Sequence, residues 1–419
     1  MTTKNNSQIL PYESPIDDTD IQKISSYLDN CKVTVVSGGG IAAVEIPRLA
    51  RELRRHNAGV QICMTENCLK FVGIESMRWA SQNEVILNPS GLSEHICTSD
   101  VVVVSPATAD LISKIKNGIC SDAATTLVQS ALGLKKTVIF CQTMHDSMAN
   151  SPIIIENVNY LKNLPNVFFI EPRKEEGKQK IPDVETLAMN ICHITNKQRN
   201  KIKEHLLITY GGTRVMLDPV RCMTNLSTGV TGIEVAKLFY GMGYNLTILA
   251  ANTNHRLPLY EGIQVHYLPN YNDMFEFSLN INPKKYDGLI HLVAASDFIP
   301  DKFENSKISS GKTKLTIAFS KTKKLLSETK LKDIVYKAAA KLTAGDIKDS
   351  DGLEQAKKLL TENNLNAVFW NTAGDAWSNN KSHAGIFLEM QDKHIHQEKI
   401  KEKKQIALLY FNSFRKRGK

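Results

Sequence analysis

Residues 32–65 read KVTVVSGGGIAAVEIPRLARELRRHNAGVQICMT, and their pattern predicts a strand, a helix and a second strand. A run of β-branched residues is followed by the glycines Gly38–Gly40 and by apolar residues at helical spacing, among them Leu49 and Leu53. A second β-rich run closes the stretch. A strand, a glycine-rich turn, a helix and a parallel strand form a βαβ unit. Such units bind ligands outside the carboxyl ends of their strands, at the N-terminus of the helix.

The same order occurs a second time, in HLLITYGGT at 205–213 and TGIEVAKLFYGMGYNLTILAAN at 231–252. Further short apolar runs are typical of buried parallel strands, and one of them is KLTIAF at 314–319. The segment KIKEKKQIALLYFNSF at 399–414 predicts an amphipathic helix. The sequence therefore predicts an α/β protein with two doubly wound, Rossmann-like domains.

The charged segment NKQRNKIKE separates the two copies of this pattern. We expect a polar leader over residues 1–30, a first domain over 31–195, a linker over 196–204 and a second domain over 205–419.

The basic excess of the chain is concentrated towards its C-terminal end. The 419 residues include 52 Lys and Arg against 43 Asp and Glu, a formal charge of +9. Residues 393–419 alone hold nine basic and two acidic side chains, so the rest is close to neutral. This distribution disfavours a basic groove for nucleic acid, and leaves a basic C-terminal arm as an alternative. We expect small anionic molecules as partners, and no nucleic acid.

The cysteines and apolar runs predict a soluble protein of a reducing compartment. The eight cysteines form no C-x-x-C pair and none lies beyond Cys222, whereas a disulfide framework or zinc site needs closer spacing. The polar start lacks the apolar core of a signal peptide. The run Val101–Val104 is far shorter than the ~20 residues of a membrane helix. We expect a cytoplasmic protein without membrane association.

Glycines and hydroxyl side chains gather at the predicted strand ends of the first domain. Backbone N–H groups at a helix N-terminus bind phosphate, and Gly38–Gly40 fit this role as well as that of a bare tight turn. Met64-Thr65 closes the second strand, and Ser105–Thr108 closes another strand that follows His95. This combination suits a phosphorylated planar cofactor.

These residues resemble the flavin-containing cysteine decarboxylases, in particular the phosphopantothenoylcysteine decarboxylases of coenzyme A biosynthesis. The matching motifs are Ser37–Ala43, Met64-Thr65, His95-Ile96 and Ser105–Asp122. The resemblance implies bound FMN, a catalytic role for His95 and a homo-oligomer, because flavin sites of that family lie between subunits. A surface or capping histidine is the alternative for His95. By the same match, the cofactor-binding residues are Ser37, Gly38, Gly39, Met64, Thr65, Ser105, Ala107 and Thr108.

Two departures from that family concern the decarboxylase chemistry. The family carries an asparagine that holds the substrate, where this chain has His145, and a tryptophan where it has Ala149. The family's later flap contains a cysteine, but residues 171–185 (EPRKEEGKQKIPDVE) contain none. Flavin binding is therefore predicted more firmly than decarboxylation, with His145 as the candidate substitute for the amide.

A second set of polar residues follows the glycine turn of the second domain. Gly211, Gly212 and Thr213 precede Arg221 and Asn225. An arginine can grip phosphate or carboxylate in a fork, and an amide can stabilise charge on an acyl oxygen. The pattern therefore suits activation of a carboxylate on a nucleotide, although a loop capped by polar residues is the alternative.

This second set resembles the phosphopantothenate–cysteine ligases, whose glycine turn and downstream motif match almost position for position. The resemblance implies catalytic roles for Arg221, Asn225 and Lys307, with a solvated surface lysine as the alternative for Lys307. Two family lysines are replaced by Leu359 and Asn363, so the nucleotide, CTP or ATP, stays open. Mg²⁺ is expected with the triphosphate, at ligands the sequence does not identify. The implied nucleotide and substrate residues are Gly211, Gly212, Thr213, Ser227, Gly229, Ala294, Asp297 and Asn371.

Together, the two resemblances predict a diverged bifunctional decarboxylase and ligase of coenzyme A biosynthesis. The ligase half would join 4′-phosphopantothenate to cysteine through an acyl-nucleotide, and the flavoprotein half would bind FMN. The rival hypothesis is a catalytically impaired homologue that regulates or scaffolds a partner.

Overall fold

The computed structural model describes residues 20–417 with the exception of 90, 92–94, 259, 312, 349 and 375–381. Residues 1–19 of the predicted leader thus lie outside the described residues. The chain divides into two compact units, Met1–Thr195 and Asn196–Lys419, here called unit 1 and unit 2.

Unit 1 is built on a parallel sheet. Its strands are β1 (Lys32–Ser37), β2 (Gly59–Met64), β3 (Val101–Ala107), β4 (Thr137–Gln142), β5 (Met144–His145), β6 (Val167–Ile170), β7 (Arg173–Glu175) and β8 (Lys178–Lys180). The main sheet has the order β2-β1-β3-β4-β6, and all its pairs are parallel. The remaining strands form a small antiparallel sheet in the order β5-β8-β7.

Helices cover both faces of the main sheet of unit 1. They are α1 (Ile46–Arg55), α2 (Ile74–Ser81), α3 (Ala109–Lys116), α4 (Ala123–Gly133), α5 (Asp146–Ala149), α6 (Pro152–Lys162) and α7 (Val184–Arg199). Val35 packs in one core with Leu49 of α1, and its neighbour Val36 packs in another with Val128 of α4. Because successive strand residues point to opposite faces, this double cover explains the continuous β-branched run. Helix α7 continues to Arg199, so residues 196–199 of the predicted linker are helical.

The described residues of unit 2 form one eight-stranded sheet and two short pairs of antiparallel strands. Its strands are β9 (His205–Tyr210), β10 (Arg214–Met216), β11 (Cys222–Thr224), β12 (Asn245–Ala250), β13 (Gln264–Tyr267), β14 (Gly288–His291), β15 (Phe298–Pro300), β16 (Phe319–Lys321), β17 (Tyr336–Thr343), β18 (Ala367–Thr372), β19 (Ser382–Gln391) and β20 (His394–Glu402). The main sheet has the order β13-β12-β9-β14-β17-β18-β19-β20. It is parallel from β13 to β18, and β19 and β20 extend it in antiparallel fashion.

The helices of unit 2 connect these strands. They are α8 (Val230–Gly241), α9 (Tyr271–Asn280), α10 (Leu325–Glu328), α11 (Ser350–Glu362) and the C-terminal helix (Lys403–Lys416). Two parallel sheets with helical crossovers confirm the predicted α/β, Rossmann-like fold class.

Two predicted elements of unit 2 differ from the structure. The predicted strand 314–319 is wrong except for Phe319, which opens β16. The predicted helix at 399–414 begins only at Lys403, because residues 399–402 complete β20. Ile400 there is buried and pairs with Gly385 of β19. Pairing along the edge of the sheet outweighs the local helical pattern.

The C-terminal helix is packed into unit 2 by its aromatic face. Phe411 and Phe414 lie with ring centroids 5.3 and 5.7 Å from that of Phe239 in α8. The Tyr410 hydroxyl donates to the Ala339 carbonyl of β17 at 2.7 Å. The basic segment is thus part of the fold up to Arg417. Among the described residues, no helix combines the length and apolar character needed to cross a membrane.

Candidate functional site

The glycine turn of unit 1 follows β1 at the carboxyl edge of the sheet. Backbone groups approach Gly38 so closely that a Cβ atom there would lie 2.7 Å from the Pro106 carbonyl oxygen. At Gly39 a Cβ atom would lie 2.4 Å from the Cβ of Asn67. The turn therefore requires residues without side chains at these two positions.

The predicted hydroxyl side chains lie around this turn. Ser37 is buried, with its Oγ 3.2 Å from the Cys68 Sγ, and the Thr65 hydroxyl donates to the Ser37 carbonyl at 3.5 Å. Thr108 caps α3 by accepting from the Leu111 N–H. Ser105 is fully buried, and its Oγ has no hydrogen-bond partner among the described residues. Because buried hydroxyls are nearly always satisfied, a water molecule or a polar group of a ligand is the candidate partner for this one.

A cavity of about 730 Å³ opens beside the turn. Of the predicted cofactor residues, Gly39, Thr65 and Thr108 line it. The others, which lie in the turn or at the strand ends beneath it, are Ser37, Gly38, Met64, Ser105 and Ala107. The structure thus gathers all eight at one edge of the sheet.

A second cavity of about 650 Å³ adjoins the first, and Thr143 and Met144 line both. His145 lines only the second one, together with residues of the β7–β8 hairpin. The His145 Nδ1 accepts from the Ser147 N–H at 3.2 Å, so a neutral ring carries its proton on Nε2. Ile41 at the mouth of this cavity is 72% exposed.

His95 is exposed in the segment that precedes β3, and it lines neither of the two cavities. The catalytic role expected for His95 stays a prediction.

In unit 2 the glycine turn after β9 is held by contacts with neighbouring loops. Gly211 has a φ of +90°, and a Cβ atom there would lie 2.7 Å from the Asn252 carbonyl oxygen. Gly212 donates to the same carbonyl. Thr213 is buried, its N–H donates to the Ala294 carbonyl, and its Oγ1 accepts from the Ser296 N–H at 2.8 Å.

Asn225 joins this arrangement directly after β11. Its Nδ2 donates to the carbonyls of Ala294 and Ala295, each at 3.0 Å. Both amide hydrogens are thus taken by protein carbonyls, which leaves Oδ1, an acceptor, for a ligand. This differs from the expected role as a donor to an acyl oxygen. Nearby, Ser227 is half-buried, and Gly229 precedes α8.

Arg221 is engaged by the protein itself. Its Nη1 donates to the Asp218 Oδ2 at 2.7 Å and to the Ile308 carbonyl at 2.9 Å. Asp218 is fully buried. Burial opposes its ionisation, but hydrogen bonds from the N–H groups of Ile308, Val220 and Arg221 and from the Arg221 side chain hold its pKa at about 2. Lys307 is exposed and directly precedes Ile308.

A cavity of about 630 Å³ lies beside β14 and β17. Asp297 lines it and forms an ion pair with Lys324. Lys341 and Lys358 add positive charge to the same lining. His291 lines it as well, and burial lowers its pKa to about 4, so its ring is neutral at pH 7.

The structure brings most predicted residues of unit 2 together, but not all. Gly212, Thr213, Asn225 and Ala294 form one connected group. Asn371 is buried at the end of β18 and does not line the cavity of Asp297. Ser296, Lys324, Lys341 and Lys358 are not among the site residues predicted from the sequence. Ser296 follows Ala295 directly in a matched motif, and Lys358 lies next to Leu359, which stands in the place of a family lysine.

The described residues contain no group of three or more His, Cys, Asp or Glu side chains arranged to hold a metal ion. The structure therefore identifies no ligands for the expected Mg²⁺.

Two parallel sheets with glycine turns and polar cavities at their carboxyl edges define doubly wound α/β units that bind small molecules. The Flavoprotein family matches residues 21–196, and the DNA/pantothenate metabolism flavoprotein C-terminal domain matches residues 202–415.

Curated relatives align across both units. The coenzyme A biosynthesis bifunctional protein CoaBC of Thermococcus kodakarensis is 34% identical, over 71% of this chain and 74% of its own length. That of Methanocaldococcus jannaschii is 32% identical, over 73% of this chain and 74% of its own length. Among solved structures, the DNA/pantothenate metabolism flavoprotein from Streptococcus pneumoniae is 22% identical, with a TM-score of 0.45, and covers 51% of this chain and 98% of its own.

The chain belongs to the CoaBC family of bifunctional coenzyme A biosynthesis proteins. This confirms the family predicted from the motifs, with a flavoprotein domain followed by a ligase domain.

Proposed function

We propose that unit 2 joins 4′-phosphopantothenate to cysteine at the expense of a nucleoside triphosphate, and that unit 1 binds FMN. The observation that carries the ligase proposal is the connected group of Gly212, Thr213, Asn225 and Ala294 at the carboxyl ends of β9 and β14. These are the residues that match the ligase motifs, and they come from segments about 70 residues apart in sequence.

The reaction has two steps. The carboxylate of 4′-phosphopantothenate attacks the α-phosphate of the nucleoside triphosphate, and pyrophosphate leaves. The cysteine amine then attacks the acyl carbon, a nucleoside monophosphate leaves, and the amine releases a proton. Asn225 would act in the second step, because its free Oδ1 can accept a hydrogen bond from the incoming amine and orient it.

The nucleotide would occupy the cavity of about 630 Å³ in unit 2. Lys324, Lys341 and Lys358 provide cationic groups there for the triphosphate, where the family lysines are replaced by Leu359 and Asn363. Both Leu359 and Asn363 line this cavity. Lys307 would neutralise charge on the transferring phosphate, and Mg²⁺ would accompany the triphosphate.

FMN would bind at the glycine turn of unit 1. The backbone of Gly38 and Gly39 and the hydroxyls of Thr65 and Thr108 would hold its polar groups, and the unpartnered Ser105 Oγ would gain a partner. When bound, FMN supplies two-electron redox chemistry at the substrate thiol. His145 presents an Nε2–H donor, as the family's amide does, and is our candidate for holding the substrate carboxylate.

We also propose that the chain forms a homo-oligomer whose contacts complete the flavin site. Ile41 and Val44 are 72% and 45% exposed at the mouth of the second cavity of unit 1. A second copy that covers them would also exclude water from the flavin. Light scattering of the purified protein measures the number of subunits.

The test is a purification followed by three measurements: the flavin absorption spectrum, pyrophosphate release and CO2 release. Substrates are phosphopantothenate and cysteine with either CTP or ATP. We expect a flavin spectrum and pyrophosphate release. CO2 release in addition would show that decarboxylation survives the loss of the flap cysteine. Flavin without pyrophosphate or CO2 would contradict the ligase proposal and favour the regulatory or scaffold alternative.

A further inference from the structure

One buried carboxylate of unit 2 does not line the cavity beside β14 and β17. Asp218 lies in the turn between β10 and β11 and has no exposed surface. Its Oδ1 accepts from the backbone N–H groups of Val220 and Arg221, each at 2.7 Å. A buried carboxylate is costly unless it is charge-paired and hydrogen-bonded, and these two bonds satisfy only one of its oxygens.

The other oxygen reaches a distant segment of the chain. The Asp218 Oδ2 accepts from the Ile308 N–H at 3.0 Å, 90 positions further along the chain. The Arg221 Nη1 binds both this oxygen and the Ile308 carbonyl. The side chains of Asp218 and Arg221 therefore bind the N–H and the C=O of Ile308, respectively.

A second bond anchors the same segment four residues earlier. The Glu304 N–H donates to the Leu217 carbonyl at 3.1 Å. Residues 304–308, which lie outside the strands and helices, are thus fixed at both ends to the β10–β11 turn. The exposed Lys307 lies between the two anchors. The same hairpin leads, through β11, to Asn225.

We propose that Asp218 and Arg221 are positioning residues, a latch that holds segment 304–308 so that Lys307 is presented to the transferring phosphate. The inference rests on the proposed ligase function. It assigns Arg221 to the latch, because its Nη1 is already committed to Asp218 and Ile308. Fixing the backbone of a loop residue has an entropic cost. The latch meets this cost during folding, before substrate binds, so the placement of Lys307 does not draw on binding energy.

The first test is kinetic and uses Asp218→Asn, which keeps the size of the side chain and removes its charge. We expect kcat for ligation to fall about 100-fold, while the KM for nucleotide changes less than about threefold, because the cavity lysines are untouched. In a Lys307→Ala background the same substitution should lower the rate less than about threefold, since the latch acts through Lys307. Equal losses in both backgrounds would contradict the proposal.

The second test does not depend on activity. Trypsin cleaves after lysine, and the Lys307–Ile308 bond lies at the latch. Asp218→Asn should speed cleavage at this bond about tenfold or more, and Arg221→Lys, which keeps the charge, should speed it less.

The matched control is Asp287→Asn. Asp287 also accepts a backbone N–H, that of His205, at 2.8 Å, but at the amino edge of the sheet. It should change neither ligation nor cleavage at Lys307. If Asp218→Asn leaves the cleavage rate unchanged, the latch is wrong. If the wild-type chain does not ligate, the proposed function fails, and cleavage still decides whether the latch exists.

Discussion

The two units place similar glycine turns at the carboxyl edges of their sheets, but they use polar groups differently. In unit 1 the backbone shapes the turn, and the buried Ser105 hydroxyl has no partner among the described residues. In unit 2 Thr213, Ser296 and Asn225 are bound to one another or to nearby carbonyls. Unit 1 thus leaves a buried hydroxyl unsatisfied beside its turn, whereas the polar groups of unit 2 are held in place by protein contacts.

The substitution Asn225→Ala tests the side-chain network of unit 2 and has the largest expected effect. Without the Asn225 Oδ1 to orient the cysteine amine, we expect the rate of ligation to fall about 100-fold. Flavin content should not change, because the substitution lies in unit 2. Pyrophosphate release reports the first step of the reaction and formation of phosphopantothenoylcysteine reports the second, so measuring both shows which step the substitution slows. The proposed role in the second step predicts that the acyl-nucleotide still forms, and near-wild-type turnover would refute the role.

The corresponding challenge to unit 1 is Gly38→Ala. Its Cβ would lie 2.7 Å from the Pro106 carbonyl oxygen, so the backbone must shift, at a cost of about 1–3 kcal/mol. We expect loss of bound flavin and a lower midpoint of thermal unfolding. Gly40→Ala is the matched control, since its nearest neighbour would be the Thr108 methyl group at 3.5 Å. Equal flavin content in the two variants would argue against flavin binding by the backbone of this turn.

Each unit also holds a histidine that is neutral when folded, which gives a pH prediction. Burial lowers the pKa of His56 in unit 1, and of His291 in unit 2, to about 4 from 6.5. The unfolded chain takes up a proton below pH 6.5, so each unit loses stability as the pH falls from 6.5 towards 4. Between pH 6.5 and pH 5, each histidine lowers the free energy of unfolding of its unit by about 2 kcal/mol.

Hydrogen exchange of β1 and β9 peptides reports the two units separately. The substitution His56→Gln should remove the loss of stability of unit 1 that protonation of this histidine causes below pH 6.5, as measured at β1. The loss of stability of unit 2, as measured at β9, should stay. The opposite pattern, or no change in β1, would show that burial of His56 is not the cause.

The smallest expected effect concerns the cationic cavity of unit 2. Lys358→Ala should raise the KM for nucleotide about fivefold, because an exposed lysine contributes about 1 kcal/mol or less. Lys357→Ala is the control on the same helix, since Lys357 pairs with Glu354 and does not line the cavity. Similar KM values for both variants would place the triphosphate elsewhere.

Sequence patterns predicted the strands and turns that depend on residues close together in the chain. The β-branched runs of β1 and β9 and the glycines after them follow from the sequence. The end of the edge strand β20 does not, because residues 399–402 fit the predicted helix and form a strand through pairing with β19. Of the predicted sites, the glycine and hydroxyl positions of unit 1 lie at one edge of its sheet, whereas His95 is exposed and lines neither cavity of that unit.

By itself, the sequence determined the fold class and the family of this protein, because periodicity and motifs are properties of neighbouring residues. The tertiary structure decided which polar groups are free. The Nη1 of Arg221 is engaged by Asp218 and Ile308, and Asn225 has only its Oδ1 left. Apart from Asp218, which is three positions from Arg221, the partners lie about 70 to 90 positions away along the chain. Only folding brings such atoms within hydrogen-bond distance, so no local pattern contains them.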